Sequence, residues 1–341
     1  MTTGPSSPAA TRSARRFRSW ALRTIGAVYF LILVGGLVRA SGAGMGCPDW
    51  PTCFGQWIPP TSEAELPADY RETYGEHGYA AVPFNVVKTW TEYINRLIGV
   101  AIGLFIFVTL VASWPLKREA AAVFWWSLTA FLLVGFEGWL GSVVVESNLM
   151  PWIVTLHMVV ALMVVGALLL ALARSERDEW SREEIPRDGA VAGLIAGVIG
   201  LSGIQILLGT RVREGIDVLM VEAADARGTW MTALGDDVLI HRSVSILVVG
   251  ANALLVWRLH RLGCAPTRLG RCGRWVLLLL VLEAAVGAGM YYFEVPRALQ
   301  PVHLLLASIA AGLQLLMAVF YRTGAASPAR NSSTVALKAA G

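Results

Sequence analysis

Apolar residues in this chain gather into long, nearly unbroken runs instead of alternating with polar ones. The runs fall at about 20–38, 91–113, 121–141, 152–173, 190–210, 237–257, 274–292 and 300–321, each long enough to cross about 30 Å of hydrocarbon as a helix. Helices are what runs of this length predict, because a spanning segment must bond its own backbone groups where there is no water. The pattern therefore predicts an all-α, polytopic membrane protein with eight transmembrane helices. A composition of 55% hydrophobic and 15% charged residues agrees, lying outside the balance of a soluble domain.

Charge orients the spans. With the N-terminus inside, 19 of the 28 Lys and Arg residues fall in inner segments, the asymmetry that marks the cytoplasmic side. The expectation is a multi-pass protein of the bacterial plasma (inner) membrane with both termini cytoplasmic. Residues 1–19 read as a disordered cytoplasmic tail carrying Arg12, Arg15, Arg16 and Arg18, followed by an uncleaved first helix. Residues 174–189 read as a cytoplasmic linker and 322–341 as a second tail. Two long outer segments, 39–90 and 211–236, carry acidic residues and read as hydrophilic caps.

The two halves repeat. Asn95-Arg96 and His241-Arg242 stand 146 positions apart, and so do His157 and His303, Glu137 and Glu283, and Gly141 and Gly287. One offset held by rare polar residues across three helices predicts two pseudo-symmetric four-helix bundles, 20–173 and 190–321, in the same orientation.

His157, His241 and His303 lie within apolar runs near the outer ends of spans four, six and eight. A histidine there is costly unless it is paired or ligates a metal. Two imidazoles at one depth, His241 and His303, suit axial ligation of a haem iron; interhelical hydrogen bonding is the alternative. Arg39, Arg96, Arg211, Arg213 and Arg242 gather at the outer mouths of the helices, where guanidinium groups suit haem propionates or snorkel to the interface. Glu92 lies one turn before Asn95 on the same face. Glu137 and Glu283 serve either as interhelical bonds or in function. Cys47 and Cys53 fall on the outer side, where a disulfide is permitted, and Cys264 and Cys272 on the inner side, where thiols stay reduced. Basic residues without interleaved aromatics exclude nucleic-acid binding.

"GGLVRASGAGMGCPDWPTCFGQWIPP", "EYINRLIG", "WLGSVVVESNLMPWIVTLHMVVAL", "QILLGTRVREGID", "LIHRSVSILV" and "LQPVHLLLASI", in this order over about residues 22–321, resemble the haem A synthase family. The resemblance implies oxidation of the C8 methyl group of haem O to a formyl group through hydroxylated intermediates, making haem A for cytochrome oxidase. It implies haem b, with its iron held by His241 and His303, and haem O as substrate in the first half, with His157 as its iron ligand and Glu92 and His157 as catalytic residues. It also implies molecular oxygen or water as oxygen source, haem O synthase as partner, an electron donor, membrane lipid, and an outer cysteine pair stapling the first loop over the substrate mouth. A homo-oligomer is compatible with it. Asn95 departs from the family, which carries histidine there; that leaves the substrate iron one strong ligand and an open position for oxygen. A non-enzymatic diheme electron-transfer cytochrome is the alternative, and it requires two equally ligated haems; a transporter leaves the histidines at one depth unexplained.

Overall fold

The computed structural model describes residues 8–80, 82–223 and 225–327. Eight long helices carry the chain: α1 Pro8–Ala40, α2 Val86–Ser113, α3 Ala121–Glu146, α4 Pro151–Ser175, α5 Gly189–Glu222, α6 Gly235–Arg261, α7 Arg268–Tyr292 and α8 Leu299–Thr323. Each is long and apolar enough to cross a membrane. The chain is a multi-pass membrane protein.

Most of the helices outrun the apolar segments that predict them. Residues 8–19, expected in a disordered tail, are the first turns of α1, while 1–7 lie outside the described residues. The expected outer cap at 211–236 is helical to Glu222, and after a turn containing Trp230–Ala233 the chain re-enters α6 at Gly235. Hydropathy marks only the stretch that must sit in hydrocarbon. Arg, Glu, Leu and Met are good helix formers, so hydrogen bonding continues into polar sequence until a cap or glycine stops it. Asn85 caps α2, accepting from Lys88 N at 3.0 Å, and Asp188 caps α5, accepting from Val191 N at 3.1 Å. The linker at 174–189 and the tail after 322 are likewise ordered in part: β1, Glu184–Pro186, pairs in parallel with β2, Ala325–Ser327. Residues 328–341 lie outside the described residues.

The described chain forms two compact units. One comprises the chain up to Ser175 with Ala288–Ser308; the other comprises Glu176–Gly287 and the chain from Ile309. These are not the 20–173 and 190–321 halves of the repeat, because the start of α8 joins the first unit. A Cβ on Gly36 of α1 would stand 2.9 Å from Pro301 Cβ, a close approach that only glycine permits. In this unit α1 packs on α2 and α4, α2 on α3, and α3 on α4, closing a ring. The buried hydroxyls of Thr24 and Thr109, 2.8 Å apart, tie α1 to α2, the kind of polar bond that joins helices where no hydrophobic force does.

The second unit has one core, built from Ile195 and Val198 of α5, Leu255 and Leu259 of α6, Val276 of α7 and Met317 of α8. Between α4 and α5, Arg187 donates to the carbonyl of Gly324 at 2.6 Å and to that of Tyr321, neutralising the carbonyl end of α8.

The 146-residue repeat extends to the backbone. Asn148 and Leu149, after α3, have φ of 54° and 60°, and Glu294 and Val295, after α7, have 58° and 54°. Leu149 N donates to Val144 O and Val295 N to Met290 O, both at 2.9 Å. These are matching left-handed helix ends, unusual for non-glycine residues.

Candidate functional site

The segment from Ser41 to Asn85 covers the end of the first unit where α1 stops and α2 begins. Cys47 and Cys53 form a disulfide with S–S 2.02 Å, and both are wholly buried. Within their loop the Asp49 carboxylate accepts from Phe54 N at 2.6 Å, from Gly55 N at 2.9 Å and from the Thr52 hydroxyl. The turn presses the Phe54 ring into an aromatic pocket, edge-on to Tyr70, Tyr74, Tyr79 and Phe84 at centroid distances of 5.0–6.3 Å. Edge-to-face pairs of this kind contribute about 0.5–1.5 kcal/mol each beyond burial. Burial, with the Glu92 charge behind it, pushes the Tyr79 phenol well above its ordinary range. It therefore stays a donor, to Met45 O at 2.8 Å. His77 Nδ1 meets Asn148 Oδ1 at 2.7 Å, tying the segment to the corner between α3 and α4.

Glu92 and Arg96 anchor this segment to α2. Glu92, 4% exposed, accepts Cys47 N–H on Oε2 at 2.9 Å and faces Arg96 through Oε1 at 2.5 Å. The Arg96 guanidinium spends its other donors on Asp49 O at 2.6 Å, Thr52 O at 3.0 Å and Cys47 O at 3.0 Å, while its Nε adds a bond to Glu92 at 3.2 Å. A guanidinium has five N–H donors, and all five are engaged. All the donors of Arg96 are thus engaged within the chain, and Glu92 gives Oε2 to the loop and Oε1 to Arg96. Sequence reading placed these two residues on the right face. It missed that the neighbouring loop folds back to consume them, because the disulfide turn aims three carbonyls at one point.

His157, on α4, meets α3. Its Nδ1 lies 3.2 Å from Glu137 Oε1, within ion-pair range but without hydrogen-bond alignment, so Nδ1 has no partner among the described residues. Gly141, one turn after Glu137, lies against the ring: a Cβ there would be in ordinary contact with His157 Cε1, at 3.7 Å. Nδ1 is fully covered, yet 39% of the side chain is bare; the bare edge is the rest of the ring. Asn95 Oδ1 and Glu137 Oε2 are also buried without a partner. Buried polar atoms are ordinarily satisfied, and the orphaned His157 Nδ1 and Glu137 Oε2, side by side, suit a group that is not part of the chain.

In the second unit His241, on α6, meets α5 in the same manner. Gln205 Nε2 lies 3.2 Å from His241 Nδ1 and donates to His241 O at 3.1 Å. A Cβ on Gly209 would stand 3.2 Å from His241 Cε1. Arg211 and Arg242 are exposed, and Arg213 is half-buried, 3.7 Å from Glu214. Arg39 is half-buried at the end of α1, and His303 half-buried on α8. Among the described residues no cluster of three or more His, Cys, Asp or Glu suits a bare metal ion. Lone imidazoles suit an iron whose other ligands come from a porphyrin. Sequence reading missed Gln205 and the pairing of Glu137 with His157. The available signal was a polar residue four positions before a glycine in an apolar helix.

Cys264 and Cys272 are free and buried. Burial pushes the Cys264 thiol above its usual range, which makes it a poor nucleophile.

Comparison with known proteins gives one answer. A Heme A synthase of Shewanella oneidensis is 26% identical over 322 residues, 84% of this chain and 91% of the relative. One of Rhizobium johnstonii is 26% identical over 325 residues, 84% of each chain. One of Methylobacterium radiotolerans is 31% identical over 185 residues, 50% of each. The cytochrome oxidase assembly protein family, COX15-CtaA, matches residues 18–315, a stretch that includes His157, His241, His303 and the disulfide loop. The chain belongs to the cytochrome oxidase assembly protein family.

Proposed function

We infer that the protein is a haem A synthase, a membrane oxidoreductase that converts the C8 methyl group of haem O to a formyl group for haem A biosynthesis. The observation that carries this is the family match, which runs through both halves of the repeat and every intramembrane histidine.

Haem b, when bound, supplies an iron that accepts and passes single electrons. His241 and His303 are its proposed ligands. That assignment rests on their 146-residue register with Asn95 and His157 and on family membership. Gln205 and Gly209 seat the His241 ring. Arg39, Arg211, Arg213 and Arg242 are the proposed propionate contacts; Arg96 leaves that set because its donors are spent. Haem O is the substrate of the first half, where His157 turns a bare ring edge away from α3 and Asn95 offers only an amide, a poor iron ligand. This asymmetry supports one open axial position for oxygen chemistry. Glu92 and Arg96 keep the disulfide loop closed over the outer end of the unit, which excludes water. We place the chain in the bacterial inner membrane with both termini cytoplasmic, receiving haem O from haem O synthase and electrons from a separate donor, with molecular oxygen or water as oxygen source.

The test is expression with a haem O supply, followed by extraction and chromatography of the bound haems. Hydroxylated or formylated haem is the expected product. Haem b and unaltered haem O alone would reject the enzyme and leave a diheme cytochrome.

A further inference from the structure

Among the polar residues that stand four positions before a glycine in the apolar helices, three are Glu137 before Gly141, Gln205 before Gly209, and Glu283 before Gly287; Asn95 before Gly99 and Ser308 before Gly312 share the spacing. Residues four apart share a helix face. In two of the three the structure shows what that face holds. The polar side chain meets Nδ1 of an imidazole on the next helix at 3.2 Å, and the glycine lies under Cε1 of the same ring. We propose that Glu137 is a positioning residue for the reaction: with Gly141 it grips His157 by Nδ1 and turns the opposite ring nitrogen, Nε2, toward the iron of the substrate haem.

The covering of the ring argues for this. Nδ1 is buried against Glu137 while 39% of the side chain is bare, so the nitrogen on the bare edge is the one a ligand can reach. Where an imidazole binds a metal through one nitrogen, the other N–H ordinarily donates to a carboxylate or carbonyl, which fixes the tautomer and makes the ligand more basic. Oε1 stands 3.2 Å from Nδ1, within hydrogen-bond distance. Oε2 is buried with no partner among the described residues, so no other contact accounts for a carboxylate at this depth in an apolar helix.

The repeat separates this reading from general helix adhesion. The pattern Gly35-x-x-Val38-Arg39 at the end of α1 recurs as Gly209-x-x-Val212-Arg213 on α5, a register that sets Leu31 opposite Gln205. His241 has the polar partner Gln205. Its repeat counterpart Asn95 carries no imidazole, and the position that this register sets opposite Gln205 is the apolar Leu31. At 157, where the imidazole is present, Glu137 is present too. A polar residue that merely glued helices together would not follow the imidazole in this way.

The inference rests on His157 being the substrate-haem ligand, and the test keeps the two apart. Full-length protein is purified with haem O and reduced, and resonance Raman spectra are read for the iron–imidazole stretching band of a haem with one axial histidine. Haem b with two histidines gives no such band. Glu137→Leu should keep haem O but shift the band to lower frequency, and Glu137→Gln, which retains an acceptor oxygen, should shift it less. Turnover should fall about 10- to 100-fold in Glu137→Leu, in kcat more than in KM. An unshifted band in Glu137→Leu overturns the inference. If Glu137→Leu fails to assemble, shown by loss of the haem b spectrum, Glu137→Gln decides by the same criterion. His157→Ala should abolish the band. Its persistence there would defeat the ligand assignment and the inference with it, whereas loss in His157→Ala with no shift in the Glu137 variants defeats the inference alone.

Discussion

Replacing Arg96 by methionine should unlatch the disulfide loop without emptying the haem sites. The side chain is 13% exposed and its partner Glu92 5%, so solvent does little to screen the pair. Methionine keeps much of the apolar stem and removes all five donors. Glu92 then remains buried without its guanidinium, held by backbone N–H groups of Gly46 and Cys47, and the carbonyls of Cys47, Asp49 and Thr52 lose the donor that joined them. Removing one partner of a buried ion pair costs about 3–5 kcal/mol, which at 1.4 kcal/mol per decade raises local opening roughly 100- to several-thousand-fold. Hydrogen exchange followed by mass spectrometry reads this directly. Amides of residues 47–56 should lose protection by that factor, while α3 and α4 exchange as before. A Glu92→Gln change on the Arg96→Met background should then add little, since paired residues couple by about 0.5–3 kcal/mol. Unchanged exchange over 47–56, together with a fall in haem content, would refute the anchoring role and return Arg96 to the propionates.

Alanine at His241 or His303 should convert or abolish a low-spin haem b spectrum, and an unchanged spectrum in both variants would reject the pair. Asn95→His should retain haem O and lower the haem A yield by filling the open axial position; a faster enzyme would show that the position need not be open. Single cysteines at Ser62 and Pro266 should label from opposite sides of the membrane, the first from outside, against a quiet background because Cys264 is buried with a raised thiol pKa; external labelling of both would reverse the topology. Asp188, hydrogen-bonded by Arg258 at 2.6 Å, has its carboxyl held below the usual range. Its stabilisation is therefore present above the unfolded pKa of about 3.9 and lost only as pH falls through the lower folded value. Exchange protection at the start of α5 should be flat from pH 8 to 5 and fail in more acid solution; a loss that begins near pH 6 would contradict this.

Eight spans, their register and the duplicated polar positions were legible along the chain because hydrocarbon imposes a one-dimensional rule. A helix that crosses it must be apolar over a fixed length, and any polar residue inside stands out. The same rule picked out His157, His241 and His303 and the glutamates 146 residues apart. Helix ends were not legible, because beyond the hydrocarbon hydropathy stops constraining the backbone; hence α1 begins at Pro8 and α5 runs on to Glu222. Nor was the allegiance of the polar side chains. Glu92 and Arg96 share a face with Asn95 and read as site residues, yet three loop carbonyls, brought together by the Cys47–Cys53 turn, claim the guanidinium first. Glu137 read as an interhelical bond or a functional group without a named partner, and Gln205 went unnoticed, until α3 and α5 set each beside an imidazole. Which donor meets which acceptor depends on how segments distant along the chain are brought within 3 Å of one another, and that is decided by tertiary packing.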